Sequence, residues 1–286
     1  MSDGTPSAPG GGARARAGIV RAAAALAATS ETPRLDAELL MAHALGMDRE
    51  AMLLGHLDAP VPEGFDALLH RRIDGEPIAY ITGKRAFWTI ELAVGPGVLV
   101  PRPDSETLIE AAVEHFGARA PETVLDLGTG SGALLLAALD QWPRARGLGI
   151  DRSAAALAIA SANARRLGFA ARAEFRSGDW AAGIAERFDL LLCNPPYVES
   201  GAVLPRDVAE HEPASALFAG PDGLEAYRRL APQIAGVLAP HGLACIEIGA
   251  AQGAAVAALF RSEGLLPAIR RDLAGRDRCI LLFGSS

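Results

Sequence analysis

Lysine and cysteine are scarce in this chain, and no long apolar run is present. Lys84 is the single lysine among 27 basic residues. Because alanine is so abundant, this indicates genomic base composition and excludes no function. The three cysteines lie far apart in apolar, strand-like runs, at Cys193, Cys245 and Cys279, which predicts buried free thiols in a reducing compartment. Since no segment approaches the roughly 18 apolar residues of a membrane span, we expect a cytoplasmic protein with no membrane contact.

Metal-binding patterns and basic stretches are also missing. The six histidines are scattered, and no cysteine–histidine cluster has the spacing of a zinc site, so we expect no metal. The net charge of −7 argues against a protein that mainly grips nucleic acid, which usually carries a basic footprint, but it permits a basic protein partner. With 286 residues, half of them apolar, we expect one full α/β domain and a smaller one in a monomer.

The first 86 residues divide into a tail and a helical segment. Residues 1–12 are rich in Gly, Pro and Ser, which predicts a disordered tail. The arginines before the alanine run 22–28 loosely resemble a signal peptide, but alanine is weakly hydrophobic and the best helix former, so we favour a first helix. Apolar residues then recur at helical spacing up to Ile73, which predicts a small helical domain over residues 13–86.

A change of period marks the next segment. Trp88, Ile90, Leu92 and Val94 alternate with other residues, and the turn signal Gly95-Pro96-Gly97 leads into Val98-Leu99-Val100. This pattern predicts a β-hairpin that joins two domains over residues 87–103, with its turn at 95–97.

From residue 104 to 286 strand and helix patterns alternate, which predicts an α/β domain with a doubly wound, seven-stranded, mostly parallel sheet. Strands are predicted near 122–127, 146–150, 172–176, 188–193, 242–248, 265–270 and 278–283, and helices near 104–116, 131–140, 153–167, 223–238 and 251–263. Ligands of such sheets bind at the carboxyl ends of the strands, near the topological switch point.

The most informative motif is the sequence Asn194-Pro195-Pro196-Tyr197, which stops the apolar run 188–193. Neither proline has a backbone N–H, and both have a fixed φ. The Asn194 side-chain oxygen and the Pro195 carbonyl are therefore acceptors for a ligand NH2 group, and Tyr197 adds a flat wall. A carboxamide or an adenine amine would suit them. The alternative is a strand that ends in a tight turn with a packed tyrosine.

A glycine-rich loop follows the first strand of the α/β domain. The strand ends in Asp126-Leu127, and glycines then alternate with Thr129 and Ser131 at Gly128, Gly130 and Gly132. Glycines permit positive φ and close approach of a ligand, and the helix N-terminus behind them favours an anion. The G-x-G-x-G spacing differs from that of dinucleotide-binding folds. An ordinary strand-to-helix turn is the alternative.

Asp151, Asp179 and Trp180, which lie at the ends of the next two strands, indicate an adenosine ligand. Asp151 ends a strand about 20 residues past the loop, where an acid can accept both hydroxyls of a ribose or can simply cap a helix. Asp179 and Trp180 follow the third strand, where an adenine would lie, although a loop acid and a core aromatic are equally compatible. The loop has no arginine for a phosphate, so S-adenosylmethionine fits better than NAD.

These motifs resemble class I S-adenosylmethionine-dependent methyltransferases, and more narrowly the peptide chain release factor N(5)-glutamine methyltransferases (HemK/PrmC type). The narrower resemblance rests on the stretches at 76–83, 97–107, 221–224, 247–249 and 272–278, above all PRPDSE and DLAGRDR. Two small departures are His241, where a glycine is usual, and Pro232 inside a helix. The resemblance implies a Rossmann-like methyltransferase sheet and an N-terminal domain that docks the substrate protein.

The resemblance also implies roles for the motif residues. Gly128–Gly132, Asp151, Trp180 and Asn194 would contact S-adenosylmethionine, and Asn194–Tyr197 would hold the glutamine of a Gly-Gly-Gln loop in a release factor, leaving S-adenosylhomocysteine as the product. Glutamine methylation of a ribosomal protein, adenine methylation of DNA and a non-catalytic adenosyl sensor are the alternatives. A basic insert for DNA is missing, and the intact motif at 194–197 argues against a sensor.

The segment Arg102–Glu106 leaves two interpretations open. Arg102, Asp104 and Glu106 are candidates for roles near the site. A helix start after Pro103, with an acid as the N-cap, explains them equally well.

Overall fold

The computed structural model describes residues 13–284, so the predicted disordered tail at 1–12 lies outside the described residues. The chain forms two compact units. The first extends to Gly83 and includes Arg206–His211, and the second comprises Lys84–Pro205 and the chain from Glu212 onward. In the described part of the chain, no helix is long and apolar enough to cross a membrane.

The helices and strands follow the predicted order closely. The helices are α1 Ala15–Leu26, α2 Pro33–Ala44, α3 Arg49–Gly55, α4 Phe65–Ile73, α5 Ile78–Thr82, α6 Glu106–Phe116, α7 Ala133–Gln141, α8 Ala154–Arg166, α9 Arg206–His211, α10 Glu225–Val237 and α11 Gly253–Ser262. The strands are β1 Lys84–Phe87, β2 Ile90–Ala93, β3 Thr123–Leu127, β4 Arg146–Asp151, β5 Ala173–Ser177, β6 Phe188–Cys193, β7 Leu238–Glu247, β8 Pro267–Arg271 and β9 Asp277–Phe283. Short 3-10 turns occur at Pro103–Ser105 and Ala214–Ala216.

The first unit is helical, as the apolar spacing predicts. Helices α1, α2 and α4 bury one face each in a common core that includes Ile19, Leu40 and Phe65. Arg72 of α4 is buried and pairs with Asp36 of α2 (2.8 Å) and with Asp207 of α9 (3.4 Å). The sequence does not predict α9, which lies far along the chain from the other helices of this unit.

The second unit contains a seven-stranded sheet in the order β5-β4-β3-β6-β7-β9-β8. Strands β3 to β7 run parallel to one another, and β9 is antiparallel to both β7 and β8. The predicted doubly wound, mostly parallel sheet is confirmed. Its central strands are continuous apolar runs because helices cover both faces. The three cysteines are free and buried in this sheet, which confirms the prediction of buried free thiols.

The hairpin lies earlier in the chain than the sequence pattern predicts. Phe87 pairs with Ile90, so the turn lies at Trp88-Thr89, where Trp88 has a positive φ of 53°. The predicted turn at residues 95–97 is present, with the Val98 N–H donating to the Gly95 carbonyl (3.5 Å). It does not close the hairpin, because residues 98–100 form no strand. The backbone N–H of Val100 instead donates to the Glu212 carboxylate (3.3 Å). Apolar residues still alternate beyond β2, because Val98 and Val100 are buried although they lie outside any strand.

Candidate functional site

Two loops meet at the carboxyl edge of the sheet, between β3 and β6. Strand pairing aligns Leu127 with Cys193, so the glycine loop and the Asn194 turn leave the sheet side by side. The chain crosses from β3 to β4 on one side and later returns to β6 on the other. This is the topological switch point, where open α/β sheets bind their ligands. The structure therefore brings together the two motifs that the sequence indicates.

The glycine loop needs glycine at its three alternate positions. Gly128, Gly130 and Gly132 have φ values of 72°, 55° and 84°, at which residues with a Cβ are strained. The N–H groups of Gly128 and Thr129 both donate to the Ile150 carbonyl, at 2.8 and 2.9 Å. The loop is thereby fixed to the end of β4, and helix α7 begins directly behind it.

Asp126 is buried beneath this loop. Its Oδ2 accepts hydrogen bonds from the Thr129 hydroxyl (2.6 Å) and the Leu135 N–H (3.3 Å). Its Oδ1 is buried and has no hydrogen-bond partner among residues 13–284. Burial raises the pKa of the Asp126 carboxyl to about 7, and the charge of Asp151 acts in the same direction. The carboxyl therefore supports the glycine loop from beneath.

Asp151 ends β4 and faces the same loop. Its Oδ2 accepts a hydrogen bond from the Gly130 N–H (2.9 Å), and its Oδ1 accepts one from the Ser153 N–H (2.8 Å). The N-cap of α8 is Ser153, whose side chain accepts from Ala156, so Asp151 is not that cap. Each carboxylate oxygen can accept more than one hydrogen bond, which leaves acceptor capacity for ligand hydroxyls.

Trp180 forms a flat wall against the glycine loop. A Cβ at Gly128 would come within 3.4 Å of the Trp180 ring, and the backbone of Trp180 has a positive φ of 54°, which is uncommon for a residue with a bulky side chain. The neighbouring Asp179 forms an exposed ion pair with Arg229. The indole face is therefore placed for stacking, whereas the Asp179 carboxylate already has a cationic partner.

The Asn194 turn is supported from behind by two buried residues. Asn194 Nδ2 donates to the Ser105 hydroxyl (3.1 Å), and this hydroxyl donates to Glu247 Oε2 (2.5 Å). Ser105 closes the 3-10 turn before α6, and Glu247 ends β7. Strand pairing of Cys193 with Ile246 explains why Asn194 and Glu247 are neighbours.

Glu247 is the centre of this buried network. Its Oε1 accepts a hydrogen bond from the Tyr197 hydroxyl (3.3 Å), and its backbone carbonyl accepts one from Tyr227 (2.9 Å). Burial raises the pKa of the Glu247 carboxyl to about 7, although the Ser105 hydrogen bond and the charge of Arg278 lower it. Burial also raises the pKa of the Tyr197 hydroxyl. Tyr197 is thus held by Glu247.

A cavity of about 400 Å³ lies over these loops, entirely within the second unit. The predicted residues that line it are Gly128, Thr129, Gly130, Ser131, Asp151, Asp179, Trp180, Asn194 and Pro196. Those that do not line it are Asp126, Gly132, Pro195 and Tyr197. Ser105 and the wall segments at 97–101 and 213–219 were not predicted from the sequence as site residues. Ser105 lies within the PRPDSE stretch, which was the available signal.

The Arg102–Glu106 segment supports the cavity without lining it, apart from Ser105. Arg102 pairs with Glu212 (2.5 Å), which joins the two wall segments. Asp104 pairs with Arg278 (3.0 Å), and Glu106 accepts the Trp88 N–H (2.9 Å). Neither acid caps α6, because its N-cap is Ser105.

Comparison with known proteins gives matches in both units. A family model described as the PrmC N-terminal domain matches residues 19–83, and a model described as a methyltransferase domain matches residues 119–264. A release factor glutamine methyltransferase of Rhodospirillum rubrum is 46% identical over 260 residues, which cover 88% of this chain and 79% of the relative. The chain belongs to the release factor glutamine methyltransferase family.

Two further relatives support the family, and two solved structures show the fold. Release factor glutamine methyltransferases of Caulobacter vibrioides and Moorella thermoacetica are 42% and 44% identical, each over 88% of this chain and over 89% and 92% of the relative. A Pyrococcus furiosus methyltransferase structure is 16% identical with a TM-score of 0.52, covering 76% of this chain and 98% of that one. A T. thermophilus 16S rRNA N2 G1207 methyltransferase with AdoMet and guanosine is 20% identical with a TM-score of 0.51, covering 70% and 49%. These two structures share the fold of the second unit.

Membership confirms that the chain is an enzyme with a methyltransferase domain. Its family is the one that the PRPDSE and DLAGRDR stretches indicate. Across residues 13–284 the structure contains no group of three or more His, Cys, Asp or Glu side chains placed to hold a metal ion.

Proposed function

We propose that this enzyme transfers a methyl group from S-adenosylmethionine to the side-chain amide nitrogen of the glutamine in the Gly-Gly-Gln loop of a release factor. The observation that carries the proposal is the shared cavity of the glycine loop and Asn194, which follow paired strands. The relatives named above support the choice of substrate.

The chemistry of the cavity fits S-adenosylmethionine. The positive-φ glycines leave backbone free of Cβ atoms for a close ligand, Asp151 has acceptor capacity for ribose hydroxyls, and the Trp180 face suits an adenine ring. When bound, the cofactor supplies a methyl group on a positively charged sulfur.

The Asn194 side chain acts on the acceptor nitrogen. An amide nitrogen is a poor nucleophile because its lone pair is delocalised into the carbonyl. An N–H···O bond to Asn194 Oδ1 orients the nitrogen and stabilises the positive charge that develops on it as the N–C bond forms. Catalysis of this kind consists of positioning and fixed dipoles. The proton leaves to solvent once the nitrogen is methylated, when its acidity has risen. The matching role of the Pro195 carbonyl stays a prediction, because Pro195 is buried and does not line the cavity.

The helical unit supplies substrate selection in this proposal. The match of residues 19–83 to the PrmC N-terminal domain supports a role in docking the rest of the release factor, whose binding energy positions the loop. A cytoplasmic location, where release factors act, belongs to the same proposal. The monomeric state and the lack of a nucleic-acid partner stay predictions.

Labelled S-adenosylmethionine tests the function directly. The full-length enzyme is incubated with a release factor, with the same factor carrying Gln→Ala in Gly-Gly-Gln, or with duplex DNA. Label is expected in the first sample only, on the glutamine side chain by mass spectrometry. Label in DNA, or in the Gln→Ala factor at the same rate, contradicts the proposal.

The variant Asn194→Ala tests the role of the acceptor. Turnover should fall by roughly 10²–10³, by analogy with the loss of one preorganised dipole, while affinity for S-adenosylmethionine changes far less. The matched control is Gln141→Ala, which removes a carboxamide that bonds Trp88 Nε1 away from the cavity. If Asn194→Ala loses cofactor affinity but keeps turnover, the mechanistic role is wrong.

A further inference from the structure

The amide of Asn194 can be held in two orientations, and only one of them is productive. With its oxygen toward the cavity it accepts an N–H from a substrate carboxamide. With its NH2 toward the cavity, the Asn194 amide places a donor against the N–H donor of the substrate, and no hydrogen bond can form. The Asn194 amide can rotate about two side-chain torsions. Its hydrogen-bond partners must therefore select the orientation.

The hydrogen bonds behind the turn select the orientation in which the Asn194 oxygen faces the cavity. An ionised carboxylate only accepts hydrogen bonds, so the single Ser105 hydrogen goes to Glu247 Oε2 (2.5 Å). The Ser105 oxygen is then restricted to accepting, and it accepts from Asn194 Nδ2 (3.1 Å). No residue in the described chain donates to Asn194 Oδ1, and Asn194 lines the cavity.

We propose that Ser105 and Glu247 are positioning residues, which hold the Asn194 amide with its oxygen toward the substrate nitrogen. This inference rests on the proposed function. Glu247 does not line the cavity and acts through Ser105. The buried pair also polarises the amide, because donation by Nδ2 increases the electron density on Oδ1.

The arrangement makes the orientation sensitive to the ionisation of Glu247. A protonated Glu247 can donate a hydrogen bond to the Ser105 oxygen. The Ser105 hydrogen is then free to bond Asn194 Oδ1, and the amide can rotate by about 180°. Burial raises the pKa of Glu247 to about 7, so turnover should fall as the pH drops through about 7. The groups that face Glu247 are Asp104, Tyr197, Tyr227, Arg278, Cys193 and Cys279.

The test compares Ser105→Ala and Ser105→Thr in the full-length enzyme, with a release factor as the substrate. In Ser105→Ala, kcat at pH 8 should fall about five- to tenfold, the equivalent of one net hydrogen bond. The acid limb of the kcat–pH profile near pH 7 should disappear in Ser105→Ala and in Glu247→Gln. Ser105→Thr, which keeps the hydroxyl, should restore both kcat and the limb.

Tyr227→Phe is the matched control, because it removes a buried hydroxyl that bonds only the backbone carbonyl of Glu247. It should keep kcat and the acid limb. Affinity for S-adenosylmethionine, measured by calorimetry, should be unchanged in Ser105→Ala. The inference is overturned if Ser105→Ala keeps both the wild-type kcat and its acid limb, or if Tyr227→Phe loses them equally. Failure of the wild type to methylate any release factor would instead overturn the proposed function.

Discussion

Asp151→Ala should weaken the binding of S-adenosylmethionine about ten- to hundredfold. In the structure the Asp151 carboxylate is oriented by two backbone donors, Gly130 (2.9 Å) and Ser153 (2.8 Å), with its remaining lone pairs available at the cavity. Hydrogen bonds to charged groups are worth about 1.5–3 kcal/mol, and 1.4 kcal/mol corresponds to a factor of ten in affinity. Loss of the ribose contacts should therefore weaken the affinity for S-adenosylmethionine about ten- to hundredfold.

The control must separate loss of ligand contacts from general loosening of the strands. Asp189 provides it, because its Oδ2 also accepts two backbone N–H groups, those of Glu122 (2.8 Å) and Thr123 (3.0 Å). These lie at the opposite, amino edge of the sheet. Asp189→Ala should lower the melting temperature, as Asp151→Ala should, but it should leave cofactor affinity unchanged.

Isothermal titration calorimetry of the three proteins gives the answer. The assignment of Asp151 is refuted if its alanine variant binds S-adenosylmethionine with wild-type affinity. It is also refuted if both variants lose affinity equally, since the loss would then come from the sheet and not from the ribose contacts.

Two further predictions concern Asp126 and Gly223. The pKa of Asp126 is about 7 in the folded chain against an ordinary 3.8, so the folded chain keeps a proton that the unfolded chain releases, and the free energy of unfolding should fall as the pH rises from about 4 to about 7. Urea unfolding should show a smaller fall for Asp126→Asn, and an equal fall in both proteins contradicts the assignment. A Cβ at Gly223 would collide with the Tyr197 carbonyl oxygen and with Gln252 Nε2, so Gly223→Ala should displace the Asn194 turn and lower turnover about ten- to hundredfold. Gly236→Ala, which meets no atom within 4 Å, is the matched control, and equal turnover in both variants would show that the collision is harmless.

The sheet could be predicted because its strands are coded locally. Each central strand is an apolar run that ends at a polar or glycine residue, as at Leu127-Gly128 and Cys193-Asn194, and helices with their own periodicity separate the runs. The prediction of two motifs at one edge then required only that the strands be parallel. The hairpin was misplaced because burial of Val98 and Val100 extends the alternation into a segment that is not a strand.

The support of the Asn194 turn could not be predicted in the same way. Ser105, Asn194 and Glu247 are separated by 89 and 53 residues. The register of β6 and β7 makes Asn194 and Glu247 neighbours, and the 3-10 turn before α6 adds Ser105 to them. Helix α9 is likewise assigned to the first unit by contacts with α4 that local patterns do not encode. His241 is a different case. It stands where a glycine is usual, and its positive φ of 59° explains why glycine suits that position.

The position of Glu247 decides what a buried acid with a pKa near 7 does in this site. Such a group is well matched to act as a general base, and a base would have to lie within hydrogen-bond reach of the substrate nitrogen. Glu247 lies behind Ser105, off the cavity wall, with both carboxylate oxygens already bonded to hydroxyls. An unmethylated amide has no proton that a carboxylate could remove at this pH, and the methylated one loses its proton without help. The raised pKa is therefore a consequence of the burial that holds Asn194 in place, and its effect on turnover comes through the orientation of that amide.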